Sequence, residues 1–452
     1  MKSVYLSMFC CLALGLPDLF QVQFAYSSDS KAGPEADAPP RHRGVGEAGA
    51  VGSKNSMESA RSAKVVEQQI REYLKNIIYT PERIEKWLLG EGMKDIHDAK
   101  MGWVHHTGTW ADGIGGAIST YNYDDTGARR MVAYADQPCR INTYGNSFTH
   151  CDQVSDGESW QEVLATHLCE PIRNYGLSGH SVYQMYLRML QEEEKNPAEY
   201  IIMNIYSDDH YRSVYGWAGI PTGVHDIEII RGAQKRPPMP WVDVNPKTHM
   251  FIEHENLCST PELLHKMTDL EWVLENFRDS LVLRVYLARK NIRLGTPEKS
   301  YDDIRALAKE HGVEADIDSP EELGEVAQRV YDAASFFASE RIVEMVEEFA
   351  AKNNKKVLYV LSYTMYDLAA YLNGEGRVDK VFVDFLDEKG LPYVDTLKAH
   401  GEDCAQFKIS VDDYMDRYYI GHYNPLGNVF QAFAIIKPLV DMLEPKPVTY
   451  RR

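Results

Sequence analysis

Ser147 closes the segment Arg140-Ile-Asn-Thr-Tyr-Gly-Asn-Ser147, a short apolar run that ends in a glycine, an asparagine and the serine. A hydroxyl at the end of a parallel strand stands at the crevice where open α/β sheets take their ligands, so it is placed to attack an electrophile. Taken alone, the serine fits better as the N-cap of the helix that follows. Asp208-Asp209-His210, with His150 and Asp152 shortly after the serine, offer the carboxylate and imidazole donors that suit divalent ions, but in no recognised metal spacing. His105-His106 lie between Trp103 and Trp110, a composition that suits either hairpin packing or a wall against sugar rings.

These residues need a frame to hold them. The 452 residues are 44% hydrophobic, enough for one large domain with appendages. Apolar runs at 140–144, 200–206 and 356–361 alternate with helical stretches at Trp160–Leu168 and Ser181–Gln191, the pattern of buried parallel strands with crossover helices. The fold class is therefore α/β, with a central parallel sheet. Upstream, Val66, Ile70, Leu74 and Ile77 share one helical face, Thr80-Pro81-Glu82 starts a second helix, and Ile118–Tyr123 followed by Asp124-Asp125-Thr126-Gly127 predicts β-hairpins. Pro237-Pro238-Met239-Pro240 marks a boundary, beyond which a helical insertion is expected over about 240–350, with a capping box at Ser319-Pro320-Glu321-Glu322.

Residues 1–25 read as an export signal, with Lys2, an apolar run from Val4 to Leu16, and then Pro17 and Asp18. Residues 26–56, rich in Ser, Gly, Ala and Pro, read as a disordered linker, and 57–135 as a helical and hairpin extension before a main domain at 136–445. No later stretch has eighteen apolar residues in a row, so the expectation is a secreted or periplasmic protein with no membrane span. The net charge of −19, from 48 Lys and Arg against 67 Asp and Glu, argues against nucleic acid or an anionic membrane as the main partner. Cys139, Cys151, Cys169, Cys258 and Cys404 would follow the signal, an odd number with no CxxC pair, so at most two disulfides can form.

Tyr144-Gly145-Asn146-Ser147-Phe148-Thr149 resembles the first block of the SGNH (GDSL-like) hydrolases, in which Gly-Asp-Ser ends the first strand; here Asn146 stands in place of the Asp. Arg173-Asn174-Tyr175-Gly176-Leu177-Ser178-Gly179 is similar to the second block, and Gly421-His422-Tyr423-Asn424-Pro425-Leu426-Gly427-Asn428 to the last. The three blocks occur in the family's order, each at a strand-to-helix junction, which is more specific than any one of them. The resemblance implies a flavodoxin-like three-layer fold, Ser147 as nucleophile, His422 as general base, and an oxyanion held by the backbone N–H groups of Ser147 and Gly176. It implies no cofactor, and a small-molecule or polysaccharide ester as substrate.

Two positions depart from the family pattern. Where the third block has Gly-x-Asn-Asp, this chain has Tyr206-Ser207-Asp208-Asp209, so Asp208 occupies the place of an oxyanion donor. A carboxylate about 4 Å from a developing oxyanion repels it by up to roughly 4 kcal/mol at an effective dielectric of 20. Three resolutions stand open: Asp208 is protonated by burial, or it points away while Ser207 or Asn204 donates, or it belongs to a pocket for a cationic or polyhydroxylated substrate. The acid expected three residues before the histidine is Tyr419, which leaves Asp416 as the nearest substitute to orient His422, with Asp413 behind it. The same Ser/His pair also fits an O-acyltransferase, and the two departures fit a glycan-binding protein that has lost catalysis.

Overall fold

The computed structural model describes residues 64, 67–72, 74–75, 77–217, 236–289 and 297–451. The export signal and linker read at 1–56 lie outside the described residues. Helix α1 (67–72) buries Ile70, and Leu74 beyond it is buried as well. Thr80 caps α2 (Pro81–Leu89) by accepting from Arg83 N, with Pro81 at the first helical position. The extension then forms two antiparallel hairpins, β1 (Asp95–Asp98) with β2 (Gly102–His105) and β3 (Gly108–Trp110) with β4 (Ser119–Tyr121).

Five strands make the central sheet: β5 (Ile141–Gly145), β6 (Arg173–Asn174), β7 (Tyr200–Tyr206), β10 (Lys356–Ser362) and β11 (Tyr393–Asp395). All pairings are parallel, in the spatial order β11-β10-β7-β5-β6. Taking the five in chain order, this is the 2-1-3-4-5 arrangement of flavodoxin-like doubly wound sheets, with its switch point between β5 and β7. The sheet buries both faces, so its long strands read as nearly unbroken apolar runs. Trp160, Leu164 and Leu168 of α4 (Trp160–Leu168) pack on one face with Ala432, Ile435 and Leu439 of α16 (Pro425–Met442). Val182, Met185 and Met189 of α5 (Val182–Lys195) belong to the core of the other face. Each large side chain withdrawn from water there contributes roughly 1.5–3 kcal/mol.

Between β7 and β10 come the four-residue α6 (Asp209–Arg212) and the inserted segment. The insertion opens not on a helix but on an antiparallel hairpin, β8 (Trp241–Asn245) with β9 (Met250–His254). The alternation Trp241-Val-Asp-Val-Asn245 is the reason, since its valines face inward and Asp243 outward. Helices α7 (Pro261–His265), α8 (Leu270–Phe277), α9 (Leu281–Arg289), α10 (Pro297–His311) and α11 (Pro320–Lys352) follow. The capping box at Ser319 and Glu322 starts α11, whose 33 residues extend about 50 Å at 1.5 Å per residue. Tyr331 donates to Tyr211 O at 2.9 Å and Ser339 Oγ meets His210 Nδ1 at 2.8 Å, so α11 braces α6, while Glu347 accepts from Tyr359 of β10 at 2.7 Å.

After β10 come α12 (Met365–Leu372), α13 (Lys380–Lys389), then β11, α14 (Thr396–Cys404) and α15 (Val411–Tyr418) before α16. The five cysteines after residue 25 are all free thiols. No helix among the described residues is long and apolar enough to cross a membrane.

Candidate active site

Strand β5 delivers Ser147 to the carboxyl edge of the sheet, beside the switch point, as the first residue of the four-residue α3 (Ser147–His150). Asn146 caps this helix, its Oδ1 accepting from Phe148 N at 2.8 Å. So short a helix needs outside partners for its carbonyls. Trp160 Nε1 donates to Phe148 O at 3.0 Å, Gln161 Nε2 to Thr149 O at 2.8 Å, and the buried Arg129 to His150 O at 2.5 Å and Cys151 O at 2.8 Å. Ser147 is 8% exposed, and its N–H finds no acceptor among the described residues.

His422 sits in the loop between α15 and α16, half-buried, with its ring 5.2 Å from that of Phe148. Tyr206 stacks on the Phe148 ring at 4.4 Å and Tyr423 meets it edge-on at 5.1 Å, so the serine's neighbour is wedged between the ends of β7 and the histidine loop. Asp416 and Asp413 are both exposed on α15, and Asp413 is committed to Ser410, the N-cap of that helix, accepting from its hydroxyl at 2.7 Å. The group at His422 Nδ1 is Gln153, whose Oε1 lies 3.1 Å away and also accepts from His422 N at 2.7 Å. Gln153 Nε2 donates to Asp112 O at 3.0 Å. Two backbone partners thus fix which end of the amide is oxygen, so Nδ1 carries the proton and Nε2 is left basic. Burial depresses the imidazole below its ordinary range; Asp152 and Asp112 oppose that shift, while Lys94 and Arg212 reinforce it.

The second-block loop packs directly on α3. A Cβ on Gly176 would stand 2.2 Å from His150 N, so only glycine fits there. Its N–H, expected in the oxyanion pocket, donates instead to Asn174 Oδ1 at 3.0 Å. Asp208 is paired: its Oδ2 lies 2.6 Å from Arg212 Nη2. Of the two substitute donors, Ser207 Oγ donates to Asp367 at 2.5 Å, while Asn204 is wholly buried, its Oδ1 accepting from Ser362 and its Nδ2 without a partner among the described residues.

Arg212 and Gln153 carried no signal in the sequence reading. Arg212 also binds Asp209 Oδ1 at 2.6 Å, and Asp209, wholly buried, accepts from Asn146 Nδ2 at 2.8 Å and Tyr206 N at 3.0 Å. Burial pushes the Asp209 carboxyl up to about 7, with Arg212 and the Tyr206 N–H pulling against it. The site residues from the sequence therefore divide: Ser147, His422 and Gly176 gather around α3, Asp208 turns to Arg212, and Asp416 stands on the surface. A separate surface cavity of about 740 Å³, lined by Met101, Tyr183, Leu187, Glu253 and Asn256, contains none of these groups.

No family model matches the chain, and no curated protein matches it in sequence. Among solved structures it is similar to a putative lipolytic protein of the G-D-S-L family from Desulfitobacterium hafniense DCB-2, at 10% identity and a TM-score of 0.30, over 66% of this chain and 98% of that one. It is also similar to an α/β hydrolase from the metagenome of Lake Arreo, Spain, at 9% identity and a TM-score of 0.31, over 69% of this chain and 97% of that one. Superpositions this loose carry nothing about chemistry.

Proposed function

We propose that this protein is a serine hydrolase of O-acyl esters. Ser147 Oγ attacks the ester carbonyl as its proton passes to His422 Nε2; the alcohol then leaves with that proton, and a water deprotonated by His422 releases the acid. The Ser147 N–H, without an acceptor among the described residues and at the start of α3, meets the oxyanion. Because Gly176 N–H is held by Asn174, it contributes only once that contact opens. No cofactor enters these steps.

The observation that carries this reading is the fixed tautomer of His422, whose Nε2 has no partner among the described residues and whose ring lies 5.2 Å from that of Phe148, the residue after Ser147 at the switch point of the sheet. For the substrate we favour an acylated carbohydrate outside the cell, supported by the export signal read at the N-terminus and the aromatic hairpins ahead of β5. The test is hydrolysis of a short-chain aryl acetate by wild type, Ser147→Ala and His422→Ala, each checked for folding, with acetylated polysaccharides assayed in parallel. Activity lost in both variants supports the reading; a folded wild type inert toward every ester overturns it.

A further inference from the structure

A serine hydrolase histidine needs negative charge nearby when it becomes an imidazolium, yet the group touching His422 Nδ1 is a neutral amide. The charged groups whose electrostatics weigh most on His422 are Asp152, Lys94, Asp112 and Arg212. Arg212 is bound by Asp208 and Asp209, and Asp112 accepts from Tyr121 at 2.8 Å. The acids of α15, the helix just before His422, are exposed.

Asp152 differs from the other acids in its construction. It directly precedes Gln153 and is boxed by donors: Lys94 Nζ at 2.5 Å, His150 Nδ1 at 2.5 Å, and Ser178 Oγ at 2.7 and 2.8 Å from its two oxygens. Ser178 N donates to His105 Nε2 at 2.9 Å, which places the His105 proton on Nδ1, 2.5 Å from Asp95 Oδ1. With that lone pair taken, the Ser178 hydroxyl proton goes to Asp152. Arg236 answers Asp95 at 3.2 Å.

Two direct carboxylate–cation pairs, Asp152 with Lys94 and Asp95 with Arg236, thus each hold a histidine, His150 at Asp152 and His105 at Asp95. His105, His150 and Asp152 lie close enough together to suggest a metal site, but Lys94 already supplies the cation at Asp152, and Ser178 N–H occupies the lone pair of His105 Nε2.

We infer that Asp152 is the counter-charge of His422, acting across Gln153 and held as a carboxylate by Lys94, His150 and Ser178; the inference rests on the serine-hydrolase reading. Asp152 is a positioning residue in this role, since it acts through space on the base and touches no substrate. Lys94, brought in from just before β1, sets how much of that charge His422 feels. The hairpin extension is therefore part of the catalytic unit.

Charge of opposite sign gives a test with opposite signs. The full chain is titrated by NMR at the His422 ring, and kcat/KM on a short-chain aryl acetate is followed against pH, for wild type, Asp152→Asn and Lys94→Met. Asp152→Asn is expected to lower the His422 midpoint and to cut kcat roughly tenfold with KM nearly unchanged, while Lys94→Met is expected to raise the midpoint. If Asp152→Asn fails to fold, Lys94→Met still decides the sign. Midpoints that move together, or not at all, in folded active variants overturn the inference while the serine-hydrolase reading stands. Opposed shifts in a protein inert toward esters overturn that reading, and with it any catalytic role for Asp152.

Discussion

Asn146 Nδ2 donates to Asp209 Oδ1 at 2.8 Å, joining the residue that caps the nucleophile helix to a wholly buried carboxylate on α6. An aspartate at 146 would set two carboxyls against each other in that space, which accounts for the amide. Asn146→Asp is expected to cost roughly 2–4 kcal/mol through the lost hydrogen bond and the buried like charge. Adding Asp209→Asn restores an amide–carboxylate pair, so the double variant should recover at least half of that loss. Urea midpoints of the two singles and the double measure the coupling.

The acid limb of kcat/KM should lie below the ordinary histidine range. His422 must be neutral to take the serine's proton, and burial holds its midpoint down, so activity persists as pH falls through about 6.5 and fails only lower. A limb at or above that value would show that the titrating base is another group or a more exposed one.

Gln153 fixes the His422 tautomer without adding charge. Gln153→Leu should lower kcat by roughly 10²-fold or more, approaching the loss seen when a tautomer-fixing acid is removed, with KM little changed. Gln153→Glu should move the acid limb upward, because a carboxylate at Nδ1 favours the imidazolium. Pre-steady-state and steady-state rates on the aryl acetate distinguish these effects from a change in binding.

Stability should fall on mild acidification, before ordinary carboxylates titrate. Burial lowers His105, His150, His180 and His422 below the usual range, His210 to about 4 and His400 to about 3. Below about 6.5 the unfolded chain therefore binds protons that the folded chain refuses, and each such histidine removes about 1.4 kcal/mol per pH unit until its folded midpoint is reached. Thermal melts between pH 7 and 5 should show Tm dropping, and His400→Gln or His210→Gln should flatten the slope if it folds.

Gly421 has φ +110°, and a Cβ there would stand 3.0 Å from Gln153 Oε1. Gly421→Ala should cost roughly 1–3 kcal/mol in backbone strain and push the Gln153 amide off His422. Its loss of kcat should accordingly exceed what the melting temperature alone explains.

The long strands and their crossover helices were legible because burial on both faces writes an apolar run, as at Tyr200–Tyr206 and Lys356–Ser362. Ser147 and His422 could be singled out as candidates because their neighbours form blocks. The edge strands β6 and β11, with two and three residues, are too short to show a period. Gln153 was invisible for a chemical reason: a search for the partner of a base looks for acids close in sequence, and here an amide 269 residues away does the holding. Arg212 escaped similarly, since an arginine at i+4 from Asp208 reads as an ordinary helix-surface pair until Asp209 and Asn146 are seen behind it.

Helix α11 belongs to two neighbourhoods at once, for Tyr331 and Ser339 grip α6 while Glu347 is fastened to β10. The inserted segment accordingly has no clean seam at its carboxyl end. Any excision must sever this rod partway along, between its hold on α6 and its hold on the sheet. A tilt of its far half would act as a lever on the platform that carries Asp209 and Arg212, so the appendage and the nucleophile helix are mechanically geared.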